Sequence, residues 1–269
     1  MRLRYLLCTK FLVSALSIVV SVCEGAPVEV PSKAKLTVFE ATLEAELRTT
    51  PELSTNEFKA FLAKRGVVVF DAQADREFAA AHVPGSISIE ETGFLRLVQA
   101  YPDRSTEIVV YANGPFADSA RRRADELVNL GYTKVRRYQL GLAVWRALGN
   151  TAETTLQGFR RMFSENSAVM IDARSRAEFA AGTIPAAESI QPGEAGQATR
   201  DPRLQYYDRN TRIVVFGNSS DAARRVAEEI ARQAYPNSSY FGGTYLELKQ
   251  AKFFSERKPS ASTLRGLKH

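Results

Sequence analysis

Read for hydropathy, the chain alternates short apolar runs with stretches of helical period. Val67-Val68-Val69-Phe70, Ile108-Val109-Val110-Tyr111, Ala168 to Ile171 and Ile213-Val214-Val215-Phe216 are apolar at successive positions. That pattern belongs to strands buried on both faces. Val135 to Tyr138 reads as a further strand, and Tyr240 to Tyr245 corresponds to the stretch from Tyr138 to Val144. Helical segments lie between them. Ser54 with Glu57 forms a capping box ahead of Phe58, Phe61 and Leu62, and Gly66 ends that helix. A short helix around Glu77-Phe78 runs into the Pro84-Gly85 turn. Arg121 to Leu130 is a helix that Gly131-Tyr132 caps, and Gly141 opens another that contains Trp145. Leu156 to Phe163 and Asp221 to Gln233 complete the set, with a Pro/Gly-rich connection over 191–212.

The order of these elements repeats. Asp71-Ala72 after the first strand recurs as Asp172-Ala173, and Glu77-Phe78 recurs as Glu178-Phe179. The strand before Asn113-Gly114-Pro115 recurs before Asn218-Ser219-Ser220. Strands alternating with helices, twice over, predict an α/β fold of two duplicated domains, each a parallel sheet flanked by helices. The joint falls near Gly149-Asn150-Thr151, giving domains over 51–149 and 150–249. Residues 26–50 form an N-terminal arm with a short amphipathic helix around Leu36 to Leu47, and 250–269 a basic tail.

The first 25 residues change the picture of compartment. Arg2, Arg4 and Lys10 precede an apolar run from Phe11 to Cys23, and small residues follow. This is the pattern of a secretory signal peptide cleaved after Gly25 or Ala26, which places the protein in the periplasm or outside the cell. An uncleaved membrane anchor is the alternative; after cleavage no stable span remains. Both cysteines, Cys8 and Cys23, lie inside this leader. The processed chain therefore has no disulfide, no thiolate nucleophile and no sulfur ligand. Cleavage after Gly25 removes three basic residues and one acidic, lowering the net charge from +6 to +4. That is mildly basic and well short of a nucleic-acid-binding signature.

Two loops carry the candidate chemistry. Each ends a buried strand and opens a helix, so its backbone N–H groups converge and the helix dipole favours an anion there. The candidate ligand-binding residues are Asn113 and Gly114 in the first, and Asn218, Ser219 and Ser220 in the second. His82 is the one histidine away from the C-terminus, and its place in a turn predicts a structural hydrogen bond. Without a histidine base, Ser219 is not expected to act as a nucleophile. Asp71 and Asp172 are expected to bind local backbone N–H groups. Trp145 reads as core, and Arg121-Arg122-Arg123 as a solvated helix face that opposes the helix dipole. No spacing suits a metal, and no cofactor is implied.

These residues resemble the rhodanese superfamily in its tandem-domain form. The first repeat offers Phe70-Asp71, Glu77-Phe78, His82-Val83-Pro84-Gly85-Ser86, Val109-Val110-Tyr111 and Gly141 with Trp145. The second offers Ile171-Asp172-Ala173-Arg174, Glu178-Phe179, Thr183-Ile184-Pro185, Val214-Val215-Phe216 and Gly242-Gly243. The resemblance implies sulfur transfer through a persulfide on a loop cysteine. Here Ala112 and Gly217 occupy the expected cysteine positions, and Ala117 stands where a longer-loop subclass has a further cysteine. The Asp-x-Arg pair survives as Asp172 and Arg174, whereas Gln73 replaces the arginine in the first repeat. The expectation is a noncatalytic rhodanese-like protein of the cell envelope that binds a protein partner or scaffolds a complex. The alternative is binding or sensing of a small oxyanion, a sulfur oxyanion or phosphate, in the retained loop cradle. Sulfurtransferase activity, which the fold alone would suggest, is the distant alternative.

Overall fold

The structure is a computed structural model that describes residues 50–252. The leader, the arm with its helix around Leu36 to Leu47, and the end of the basic tail lie outside the described residues. In chain order the elements of the first repeat are α1 (Thr55–Leu62), β1 (Val67–Asp71), α2 (Asp75–Ala80), β2 (Ile87–Ser88), α3 (Ile89–Thr92), α4 (Phe94–Ala100), β3 (Glu107–Tyr111), α5 (Asp118–Asn129), β4 (Val135–Tyr138) and α6 (Gly141–Ala147). The second repeat holds β5 (Ala152–Thr154), α7 (Leu156–Ser164), β6 (Val169–Asp172), α8 (Arg176–Ala181), β7 (Glu188–Ser189), α9 (Ala195–Ala198), β8 (Ile213–Phe216), α10 (Ser220–Arg232), β9 (Ser238–Phe241) and α11 (Tyr245–Gln250).

Each repeat builds its own sheet, in the order β2-β1-β3-β4 and β5-β9-β8-β6-β7, and all the strand pairs are parallel. Parallel strands need helical crossovers, which cover both faces and account for the unbroken apolar runs. Val69, Val109 and Tyr111 face one layer with Phe58 and Trp145, while Phe70, Ile108 and Val110 face another with Ala120, Ala124 and Leu127. The second sheet divides its residues in the same way. The extra strand β5 also has a counterpart. Leu53 N–H donates to the Arg137 carbonyl at 2.7 Å and Arg137 N–H to that of Pro51 at 2.8 Å, so the segment before α1 pairs with β4 as β5 pairs with β9.

Several local expectations hold. The Ser54–Glu57 capping box is formed, and Trp145 is buried with its indole N–H donating to the Thr151 carbonyl at 2.9 Å. Two differ. The helix read from Arg121 begins at Asp118, which puts an acid in its first turn and moves the arginines toward the second. Arg121 then pairs with Asp118 and Arg123 with Glu126, which removes most of the supposed conflict with the dipole. The connection over 191–212 also contains the short helix α9.

The repeats meet through backbone. His82 and Glu153 exchange N–H···O=C bonds of 3.0 and 2.8 Å, Thr155 N–H donates to the Ala79 carbonyl at 3.1 Å, and Thr154 Oγ1 donates to that of Ala80 at 2.9 Å. These contacts tie the end of α2 to β5 and to the start of α7.

Candidate functional site

The first candidate loop leaves the C-terminal end of β3. Ala112 is almost wholly buried beneath it, among Phe70, Ala120 and Ala124. The loop is held from outside by α6. Leu142 N–H donates to the Ala112 carbonyl at 2.9 Å, and Ala143 N–H to that of Asn113 at 2.8 Å. This close approach depends on Gly141, at φ +67°, where a Cβ would stand 2.5 Å from the Ala112 carbonyl oxygen. Ala117 N–H closes the turn onto the Gly114 carbonyl at 3.0 Å, and Gln139 Nε2 donates to that of Pro115 at 2.8 Å. The N–H groups of Asn113 and Gly114 make no hydrogen bond among the described residues. Phe116, beside them, is 84% exposed.

The second loop is built differently. Ser219 is the N-cap of α10, its hydroxyl accepting from Ala222 N–H at 3.2 Å, and Ser220 is the first helical residue. Asn218 Nδ2 donates to Glu178 Oε1 at 2.7 Å. The Ser175 hydroxyl and then this Asn218 bond hold the Glu178 carboxyl down at about 2, so a negative charge stands beside this loop. Gly217 has space around its Cα, with no atom nearer than 3.6 Å to a built Cβ. The fold brings each repeat's candidates together in its own loop.

Beneath the loops the two aspartates accept backbone N–H groups as expected, at 2.8 Å from Gln73 to Asp71 and 2.9 Å from Arg174 to Asp172. Their partners then diverge. Asp172 meets the Arg174 guanidinium at 2.7 Å and the Thr183 hydroxyl at 2.6 Å, and Arg174 stacks 3.4 Å from the Tyr245 ring. Asp71 has no cation among the described residues. The Tyr111 hydroxyl donates a short hydrogen bond to Oδ2, and Gln73 Nε2 donates to the same oxygen at 2.8 Å. The Tyr111 oxygen also accepts from Val83 N–H at 2.8 Å and lies 2.9 Å from Ser86 Oγ. Burial outweighs these bonds and pushes the Asp71 carboxyl up to about 6. His82 is buried, stacked on Phe78, with Nδ1 2.9 Å from the Phe78 carbonyl; burial lowers its pKa. Its ring bonds the end of α2 rather than the Pro84-Gly85 turn, which the Tyr111 and Ser86 hydroxyls hold instead.

Against this geometry, the model of the rhodanese-like domain matches the chain twice, over residues 54–148 and 155–251. The chain belongs to the rhodanese-like family. Among solved structures it is similar to a thiosulfate sulfurtransferase from Pseudomonas aeruginosa, at 21% identity over 75% of this chain and 42% of that one, with a TM-score of 0.35. It is similar to a 3-mercaptopyruvate sulfotransferase from Escherichia coli, at 19% identity over 73% and 99% of the two chains, with a TM-score of 0.34. A human single-domain sulfurtransferase shares 23% identity over 37% of this chain and 96% of its own, with a TM-score of 0.34. Comparison with curated proteins gives no match.

As a tandem rhodanese-like protein, the chain has no cysteine between residues 50 and 252. Among the described residues no group of three His, Cys, Asp or Glu side chains is placed to hold a metal, and no helix is long and apolar enough to cross a membrane. Reading from the sequence did not single out Arg146, Asn210 or Asn237. They line one cavity with Asn113 although they come from both repeats. No local motif marks them, because only the packing of the repeats makes them neighbours.

Proposed function

We propose that the protein is a noncatalytic rhodanese-like protein of the cell envelope that binds a protein partner. The observation that carries this reading is Ala112. It sits at the end of β3, beneath an intact loop, where the family's chemistry requires a thiol. A methyl group can neither accept a sulfur atom nor attack an electrophile, and Gly217 in the second repeat has no side chain at all. Export rests on the basic and apolar pattern of residues 2–23. A protein-facing role is supported by Phe116, whose exposed ring stands next to the first loop.

The test is turnover of thiosulfate and cyanide to thiocyanate. The unmodified protein is expected to match the buffer blank, and turnover above the blank overturns the reading. Ala112→Cys is expected to gain measurable activity, because the loop backbone is held by α6 and Gln139 rather than by the missing side chain.

A second reading, oxyanion binding in the first loop, is favoured by the unspent N–H groups of Asn113 and Gly114. The second loop suits an anion less well, because the Glu178 carboxylate stands against it.

A further inference from the structure

Among the described residues Arg146 is a half-buried arginine with no carboxylate partner. It sits in the last turn of α6 and reaches toward the second repeat, where Nη2 approaches the Asn237 carbonyl at only 3.5 Å. Its Nε is buried and donates to nothing. Three other buried or half-buried arginines meet carboxylates: Arg137 meets Glu52, Arg174 meets Asp172, and Arg203 meets Asp201 and Glu194, while Arg161 donates to the Arg76 carbonyl at 2.6 Å. Arg104 also has an orphaned nitrogen, but its guanidinium lies 4.3 Å from the Tyr132 ring centre. Among the described residues Arg146 has neither a carboxylate nor a ring. The charge that acts on it is of its own sign, from Arg212. Burial and this repulsion together press its pKa down to about 10.

Two adjoining cavities, of about 250 and 390 Å³, share Arg146, Ala147, Asn210 and Pro236 as walls. Asn113 lines the first, and neither its side-chain amide nor that of Asn210 donates a hydrogen bond among the described residues. A guanidinium without a counter-charge, two asparagine amides with N–H groups to spare and an apolar wall share one cleft. Burying a cation without a partner is costly, and a bound anion would remove most of that cost. We propose that the cleft between the two repeats binds a small oxyanion, of the sulfate, phosphate or carboxylate class, against Arg146. A guanidinium suits such a ligand because its parallel N–H groups match two oxygens of one centre. The site lies behind the first loop, on the side of α6, and needs no thiol. It shares Asn113 with the first loop but uses that residue's side-chain amide rather than the loop's backbone N–H groups.

The experiment is thermal unfolding of the full chain titrated with sulfate, phosphate or acetate, each against chloride at matched ionic strength. The unmodified protein is expected to show a saturable rise in Tm with at least one of the three, and the arm that responds identifies the ligand class. Arg146→Met is expected to abolish that rise. In chloride it should melt at the same temperature as the parent or higher, since it removes an uncompensated buried charge. Arg212→Gln should weaken binding severalfold without abolishing it. Flat curves for the parent overturn the proposal. So does a response that survives in Arg146→Met, which would belong to the loop. A fall of several degrees for Arg146→Met in chloride would also overturn it, by showing that the arginine serves as a brace to Asn237.

Discussion

Gly158→Ala is expected to destabilise the protein by more than about 3 kcal/mol, although the substitution favours a helix. Gly158 lies in the first turn of α7, buried against the end of α2. By helix propensity alone, alanine there would gain about 1 kcal/mol. The tertiary contact reverses the sign. A Cβ at 158 would stand 1.8 Å from the Ala79 carbonyl oxygen, 2.4 Å from its carbon and 3.0 Å from the Ala80 nitrogen. All three are backbone atoms, so no rotamer change relieves the overlap. The helices must separate, which breaks the bonds from Thr155 N–H to Ala79 and from Thr154 Oγ1 to Ala80. Overpacking a core costs about 1–3 kcal/mol where side chains can shift, and more where they cannot. For about 200 residues this is a fall in Tm of roughly 6–12 °C. Gly196→Ala is the control. Its Cβ would have only ordinary contacts, the nearest at 3.8 Å to Gln233, and it lies in the short helix α9. It should leave Tm unchanged or raise it slightly. Equal effects of the two substitutions would refute the argument.

Gln73→Arg is expected to stabilise the protein above pH 6 and to remove one component of its pH dependence. Asp71 is fully buried, and its folded-state pKa is raised from 3.8 to about 6, chiefly by desolvation. Between these values the folded chain holds a proton that the unfolded chain has released. Stability from this group therefore falls as pH rises through the window, and the loss is complete above about pH 6. A shift of that size corresponds to about 3 kcal/mol. The second repeat shows the remedy. Arg174 occupies the place of Gln73 and pairs with Asp172, and its Nη2 also donates to the Gly182 carbonyl at 2.8 Å. In the first repeat the Ala81 carbonyl is placed to receive the same group, since Gln73 Nε2 already points to it at 3.4 Å. An arginine at 73 should hold Asp71 ionised and restore roughly 1–3 kcal/mol at pH 7. Denaturant unfolding of both proteins between pH 4 and 7.5 measures this. The difference between the two curves should grow with pH up to about 6 and then level off. A difference that does not change with pH would show that Asp71 is not the titrating group.

Much of the fold was legible because its signals are local. Four buried runs marked strands, and β4 and β8 begin and end where their hydropathy places them. Ser54 and Glu57 announced a cap that is formed. α5 begins three residues before the arginine run, because Asp118 suits a first turn, where its charge complements the helix dipole. Strands β2, β5 and β7 have two or three residues each, too few for a period to show, and exist only because a neighbouring strand supplies their partners. Both candidate loops were placed by the strand–loop–helix pattern. That Glu178 would face Asn218 was hidden, because their side chains meet through the packing of α8 against the second loop.

By itself the sequence determined the two-fold repetition, the parallel-sheet class of each repeat, the position of the loops and the identity of the residue at the end of each central strand. All of these follow from the order and period of side chains along the chain. The tertiary structure alone decided that the repeats are joined backbone to backbone at His82, Glu153 and Gly158. It also decided that, among the described residues, Asp71 is buried without a cation and Arg146 of one repeat reaches the Asn237 carbonyl of the other without a carboxylate. Burial and charge pairing depend on residues far apart in the chain, and no local pattern encodes which of them will meet.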